Sequence, residues 1–485
     1  MTLSGIRRLN KDVNMTEGPI FGSLWLYTIP IMLSGMLQLL YNAADVAVVG
    51  NYAQDSESAL AAVGSTGALT NLIIGLFLGL SVGTNVVVSR YLGAHDEKGV
   101  SETCHTAMLS SVVFGLLLAA VGVSFAEIFL GWMDTPEDVL PLSALYMRIY
   151  FLGMPASMAY NFGSAILRSK GDTRYPFLVL VISGGINVIL NLVTVRGFHL
   201  DVAGVAIATT TSQVVSAILV CLRLFMEHDS CRLELRKLKI HPDKLKKIAR
   251  IGIPAGCQSM LYSITNVIIQ SGVNSLGKAA MAGNTAASNV DGFIYQGVES
   301  VYHGALAFTA QNYGARNYKR IRTVCFDCCI IVLIVGLLLG AVVAVFDTEL
   351  LKIYAPDKYE NGVLVENKAQ VREFGALRLK IMALTYFTCG LMDVATGLLR
   401  GLGQSLLPMV ITAFGTCGLR IFWVKLIFGK IEFFHNMDWL YFTYPISWVL
   451  TGAAEFLVFA YFYAKKCRKH GVDPRHPIDK GLKTT

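Results

Sequence analysis

Between Ile20 and Val49 an apolar run carries a carboxylate where hydrocarbon would be expected. The stretch reads Gln38-Leu-Leu-Tyr41-Asn42-Ala-Ala-Asp45. On a helix Gln38, Asn42 and Asp45 fall four and three residues apart and share one face. An ionised carboxylate in hydrocarbon is costly, so it faces a bundle interior or a wet cavity. There it can hold a proton, a cation or a cationic ligand; the plainer use of such a residue is helix packing. Asn187 and Asn191, one turn apart, are suited to hold Asp45 or a hydrated cation through their carbonyl oxygens. A second polar stripe runs Asn284, Ser288, Asp291, Tyr295, Glu299, His303 at helical spacing, and a third runs Gln258, Tyr262, Asn266, Gln270. Glu299 and His303, one turn apart, form a pair able to share a proton near neutrality. Arg420, inside another apolar run, requires an anionic partner, with Asp291, Glu299 or Glu455 as candidates for the charge balance.

The elements that must position these groups are membrane helices. The chain of 485 residues is 54% hydrophobic and 15% charged, with mean hydropathy +0.54, outside the range of ordinary soluble domains. Runs long enough to span the ~30 Å hydrocarbon layer are expected near 20–49, 59–91, 106–129, 139–167, 176–195, 202–225, 251–275, 279–312, 321–346, 374–399, 408–428 and 441–463. They lack the two-residue alternation of barrel strands, so the expectation is an all-α membrane protein of twelve transmembrane helices. The net charge of +8 does not point to nucleic acid, because Lys and Arg gather in the tails and in the loops after even-numbered spans. That asymmetry places both termini in the cytoplasm. Cys325-Phe-Asp-Cys328-Cys329 opens an apolar helix without a second cluster and reads as buried thiols; neither a metal site nor a bound cofactor is expected.

The chain also repeats itself. Leu167-Arg168-x-x-Gly171-Asp172-Thr173 returns as Leu399-Arg400-x-x-Gly403-Gln404-Ser405, 232 residues on, and Gly93-Ala94 returns as Gly314-Ala315 after 221. Pro30 and Asn42 match Pro254 and Asn266 at 224. The growth in offset marks an insertion within 347–373. Two like-oriented copies of six spans predict two six-helix bundles related by a pseudo-twofold along the membrane normal. The expected divisions are a tail (1–19), a first bundle (20–225), a charged linker (226–250), a second bundle (251–464) and a basic tail (465–485). Residues 241–250 read as a short amphipathic surface helix. Glycines 93, 171, 314 and 403 are expected to let helices end in tight turns.

These residues resemble the multidrug and toxic compound extrusion (MATE) transporters, especially the bacterial branch. The likeness rests on Tyr41-Asn42-Ala-Ala-Asp45-Val-Ala-Val-Val-Gly50, Ala59-Leu-Ala-Ala-Val63-Gly64, Gln311-Asn-Tyr-Gly314-Ala315, the two Leu-Arg-x-x-Gly junctions and Gly204-Val-Ala-Ile-Ala-Thr209. The resemblance implies a V-shaped fold and antiport of amphipathic, often cationic, drugs or metabolites against H+ or Na+. It implies that Asp45 matches the first-span acid that binds the coupling ion, while the usual fifth-span acid is Asn191 here. The Glu of the seventh span of Na+-coupled relatives is missing, with Tyr262 near its place. Asp45, Asn42, Asn187 and Asn191 are therefore the expected coupling residues. Gln38, Tyr41, Gln258, Tyr262, Asn266, Asn284, Ser288, Asp291, Tyr295, Glu299 and His303 are the expected cleft residues, with Arg420 and Glu455 balancing charge. A monomer in the plasma membrane acting on small molecules is the expected setting. The alternative is a lipid-linked precursor or polysaccharide flippase, although such proteins favour cleft arginines. No HExxH or nucleophile–base cluster indicates an enzyme.

Overall fold

The computed structural model describes residues 12–53, 56–133, 135–360, 363–366 and 368–474. They form helices α1 (Ile20–Tyr52), α2 (Ser56–Gly93), α3 (Glu97–Gly131), α4 (Leu140–Leu152), α5 (Met154–Lys170), α6 (Arg174–Gly197) and α7 (Asp201–Met226). There follow α8 (Pro242–Asn274), α9 (Lys278–Gly314), α10 (Tyr318–Val345), α11 (Asp347–Tyr354), α12 (Ala369–Ala383), α13 (Tyr386–Gly401), α14 (Leu406–Phe428) and α15 (Met437–Lys469). Eight of these are long and apolar enough to cross a membrane, and α12 with α13, bent by 47° at their junction, makes a ninth. The other expected spans are helical too. The run 139–167 is broken at Gly153 into α4 and α5, while polar side chains at helical spacing lower the apolarity of α8 and α9.

Compact packing divides the described chain into two units. The first gathers 12–15 and Leu33–Ser259; the second gathers Thr16–Met32 and 260–474. The first unit thus takes in all of 226–250 and the opening turns of α8. That segment lies against α3: the Glu234 N–H donates to His105 Nε2 (3.0 Å), the His241 N–H to Thr106 Oγ1 (3.1 Å), and Lys244 pairs with Glu102 (3.3 Å). The separate surface helix expected at 241–250 is instead the start of α8, which runs unbroken from Pro242 past Pro254 to Asn274. Nothing between Leu245 and Gly252 interrupts helical hydrogen bonding, and a proline at the first turn is tolerated.

Within the first unit α2 and α8 meet through bare backbone. A Cβ at Gly79 would run into Gly256 and Gly252, one at Gly83 into the Ile248 carbonyl, and one at Gly256 into the Leu76 backbone. Gly79 with Gly83 and Gly252 with Gly256 are both spaced by four, so each helix presents a smooth strip that admits the other closely.

The repeat is visible in local structure. Asp96 and Asn317, 221 apart, both cap the next helix, accepting from the backbone N–H of Gly99 and Arg320. α6 and α14 each end in a π turn, Leu192–Gly197 and Trp423–Phe428. Gly171 and Gly403 adopt left-handed φ values of 107° and 82°, as the turn requires. At the other matched junction the left-handed residues are His95 (φ 53°) and Arg316 (φ 58°), two positions after Gly93 and Gly314, which stay helical. The inserted 347–373 segment carries α11 and an antiparallel pair of strands, β1 (Lys358–Glu360) and β2 (Val363–Glu366). Arg372 binds both oxygens of Asp357 there (3.0 and 3.1 Å) and holds that carboxyl below its usual range.

A Cβ at Gly171 would strike the Val13 backbone as well as strain φ. Gly171→Ala is expected to destabilise by about 1–3 kcal/mol, lowering the melting temperature in detergent. Gly22→Ala, where a Cβ meets open space, serves as the unchanged control.

Candidate functional site

In the first unit a cavity of about 190 Å3 opens on the polar face of α1. Gln38, Tyr41, Asn42 and Asp45 line it from α1, and Asn187 from α6 faces them. The face arises as the spacing predicts, because 100° per residue stacks positions 38, 42 and 45. Asp45 is half-buried and accepts from Asn191 Nδ2. The same nitrogen reaches Asn187 Oδ1 (3.2 Å), and Asn187 Nδ2 donates to Thr209 Oγ1 on α7 (3.4 Å). Asn191 is fully buried, and its Oδ1 has no hydrogen-bond partner among the described residues. The Asp45 carboxylate and the Asn187 carbonyl thus converge on the Asn191 amide nitrogen, two hard oxygen groups suited to a proton or an alkali cation. Tyr41 fits this wall only because residue 184 is glycine: a Cβ there would overlap the tyrosine ring.

In the second unit a larger cavity, about 440 Å3, collects residues of both other stripes. α8 contributes Tyr262, Asn266 and Gln270, and α9 contributes Asn284, Ser288, Asp291 and Tyr295. Gln258 belongs to the first unit and is buried there. Glu299 and His303 are half-buried farther along α9. Glu299 interacts electrostatically with Asp393, and the His303 ring meets Tyr302 edge-on (5.0 Å). The stripe slants: 19 residues at about 100° each leave His303 roughly 100° around the helix from Asn284.

Asp291 is held by Arg378 of α12, through Nε (2.9 Å) and Nη2 (2.8 Å), while Arg378 Nη1 and the Tyr441 hydroxyl (2.9 Å) both donate to Asn284 Oδ1. Sequence reading did not single out Arg378. The two residues expected to balance charge, Arg420 and Glu455, contact different partners. Glu455 accepts from Thr396 (2.7 Å) and Thr412 (3.2 Å). Arg420 instead donates from Nε to Ser447 Oγ (3.0 Å) and stacks on Tyr444, its carbon centre 4.0 Å from the ring centroid. Ser447 and Glu455 lie eight residues apart on α15, about 12 Å along a helix, which separates the two groups. Asp393 accepts from the Cys389 thiol (3.8 Å), and Arg400 donates to the Tyr302 hydroxyl.

The family model described as MatE matches residues 30–193 and 254–424, covering both halves of the chain. The chain belongs to the MatE family. A MATE chain of this kind is a membrane transporter with many spanning helices. It is 27% identical over 410 residues to "Probable multidrug resistance protein YoeA" of Bacillus subtilis, covering 83% of this chain and 86% of that protein. It is 24% identical to "Probable multidrug resistance protein NorM" of Thermotoga maritima over 79% of this chain and 80% of that one. Among solved structures it superposes on "Crystal structure of MATE in complex with MaL6" with TM-score 0.85 at 21% identity, covering 95% and 100% of the two chains. An outward-facing multidrug resistance MATE transporter of the MOP superfamily gives TM-score 0.84 at 21% identity, covering 95% and 99%. The matched span 30–193 contains Asp45, Asn187 and Asn191, and 254–424 contains Asp291, Arg378 and Arg420.

Proposed function

We propose that this chain is a secondary active antiporter that exports amphipathic, cationic drugs or metabolites in exchange for H+ or Na+ by alternating access. The reading places twelve membrane helices in two six-helix bundles about a pseudo-twofold axis, with a first bundle over 20–225, a second over 251–464 and both termini in the cytoplasm. The observation that carries it is Asp45, a lone acid on the wall of a polar cavity within an apolar helix, gripped by Asn191 and backed by Asn187. An ion arriving from outside neutralises Asp45 and releases the exported cation; the neutral form then tolerates a drier, closed cavity. The ion does work because it binds one conformation better than the other. Multidrug resistance and export proteins among the relatives support the drug-export part and do not favour a lipid-linked precursor flippase. The mixed donor set at Asp45 accommodates either ion. Drug-stimulated ion movement in proteoliposomes, driven separately by a pH gradient and by a sodium gradient, tests the proposal. Movement under neither gradient would overturn it.

Tyr41 gives a finer test. In Gly184→Ala the new methyl meets the far end of the Tyr41 ring rather than backbone, so the ring swings while the helices stay. Melting is expected to shift by no more than about 1 kcal/mol. Affinity for a fluorescent cationic substrate, read by equilibrium binding, is expected to fall up to about tenfold, which is 1.4 kcal/mol.

A further inference from the structure

A further cavity of about 810 Å3 lies in the first unit, between the opening turns of α3 and the linker over 228–241. It shares no lining residue with the cavity at Asp45, and its size is that of a small-molecule site. The linker wall is pinned in place. Cys231 and Leu233 are buried, the Leu233 N–H donates to the Leu224 carbonyl (3.0 Å), and His105 and Thr106 of α3 hold the Glu234 and His241 N–H groups. A segment that only joins α7 to α8 needs no such pinning, and fixing its backbone costs conformational entropy. What the pinned loop presents is positive charge. Arg232, Arg236 and Lys239 are exposed at the cavity, and none enters an ion pair among the described residues; Arg232 acts on Glu234 only at longer range. The acids beside them are already matched: Glu102 with Lys244 (3.3 Å), Asp229 with Lys170 (2.7 Å) and Glu234 with Lys237 (2.8 Å). Like charges gathered on one loop repel, and an anion bound among them relieves that cost.

We propose that this cavity binds a phosphate-bearing ligand, its phosphoryl oxygens on Arg232, Arg236 and Lys239. The two guanidinium groups offer planar forks that match phosphate oxygens, and the ammonium adds a point charge. A phosphate dianion engages more of these donors than a carboxylate does. Lys98 and Ser101 line the facing wall on α3, so an occupant bridges linker and helix and fastens one to the other. A soluble phosphate ester and a phospholipid headgroup share this chemistry. The site lies apart from the coupling residues and stands without the export reading.

The test is calorimetric titration of the full-length protein in detergent with pyrophosphate, at fixed ionic strength. Saturable binding is expected. The double variant Arg232→Gln with Arg236→Gln is expected to weaken it at least about tenfold, as the loss of charge-assisted bonds implies. Lys246→Gln with Arg250→Gln removes the same charge from exposed positions of α8 outside the cavity. That control is expected to stay within about twofold of the wild type, because salt screens distant charges. Absence of saturable binding overturns the proposal, as does an unchanged affinity in the first double variant or an equal loss in the control. Should the first double variant fail to fold, an unchanged affinity in Lys239→Gln overturns it. Displacement of pyrophosphate by glycerol 3-phosphate and by dioctanoyl phosphatidic acid, which carry the same phosphomonoester, separates the two sources. Better displacement by the lipid assigns a headgroup, equal or poorer displacement by the lipid assigns a soluble ester, and displacement by neither overturns the proposal. Failure here leaves coupling at Asp45 untouched, and a failure of coupling leaves this binding measurement untouched.

Discussion

Asp45→Asn is expected to stop ion-coupled export while leaving the folded protein intact. The substituted amide keeps a carbonyl oxygen for the Asn191 Nδ2 donor that now serves Asp45, and its volume is nearly that of the carboxylate. The cavity wall therefore keeps its shape, and melting in detergent should move by no more than about 1 kcal/mol. What disappears is the charge. An amide neither takes up a proton nor attracts a cation as a carboxylate does, so the two conformations lose the differential ion binding that drives the cycle. Drug-dependent ion flux in proteoliposomes is expected to fall to the level of protein-free liposomes under both a pH and a sodium gradient. Gradient-driven export surviving in the variant would remove Asp45 from the coupling role.

Arg378→Met is expected to give the largest loss of stability. Asp291 is 3% exposed and receives two of its bonds from Arg378, which also donates to Asn284. Removing the guanidinium leaves a carboxylate buried without its counter-ion, a change that typically costs 3–5 kcal/mol. The double variant Asp291→Asn with Arg378→Met removes both charges and should recover most of that loss, since the pair's Coulomb attraction is largely offset by its desolvation. Thermal unfolding of the two single variants and the double variant completes the cycle. A single variant within about 1 kcal/mol of the wild type would show that the pair is not what secures α9 to α12.

The first-unit site was legible because its parts lie on two helices with simple spacing. Gln38, Asn42 and Asp45 announce a face, and Asn187 and Asn191 announce another; a lone acid among apolar residues needs such neighbours. The second-unit site was half legible. Its stripe on α9 was visible, but Arg378 stands among Arg372, Glu373 and Lys380, where a basic residue looks like a span end. Its contact with Asp291 comes from the packing of α12 on α9, which spacing along neither helix reveals. The expectation that Arg420 pairs with an acid came from the cost of a bare charge, and its stacking on Tyr444 cannot be read from spacing along the chain. The junction turns at Gly171 and Gly403 followed from glycine in the sequence. That His95 and Arg316 rather than Gly93 and Gly314 take the left-handed turn depends on the Asp96 and Asn317 caps, whose side chains replace a glycine's freedom with a hydrogen bond.

The meeting of Gly79 and Gly83 with Gly252 and Gly256 bears on how the protein can be cut and reassembled. The gene-level repeat invites division between residues 226 and 242, yet a fragment ending there would leave α2 with an empty backbone groove that only the later helix fits. Its natural seal arrives some 170 residues after Gly79 in synthesis, so the first half cannot mature before α8 emerges. Split expression or half-length transplants should therefore be joined beyond Ser259, carrying the sealing helix with the piece it closes.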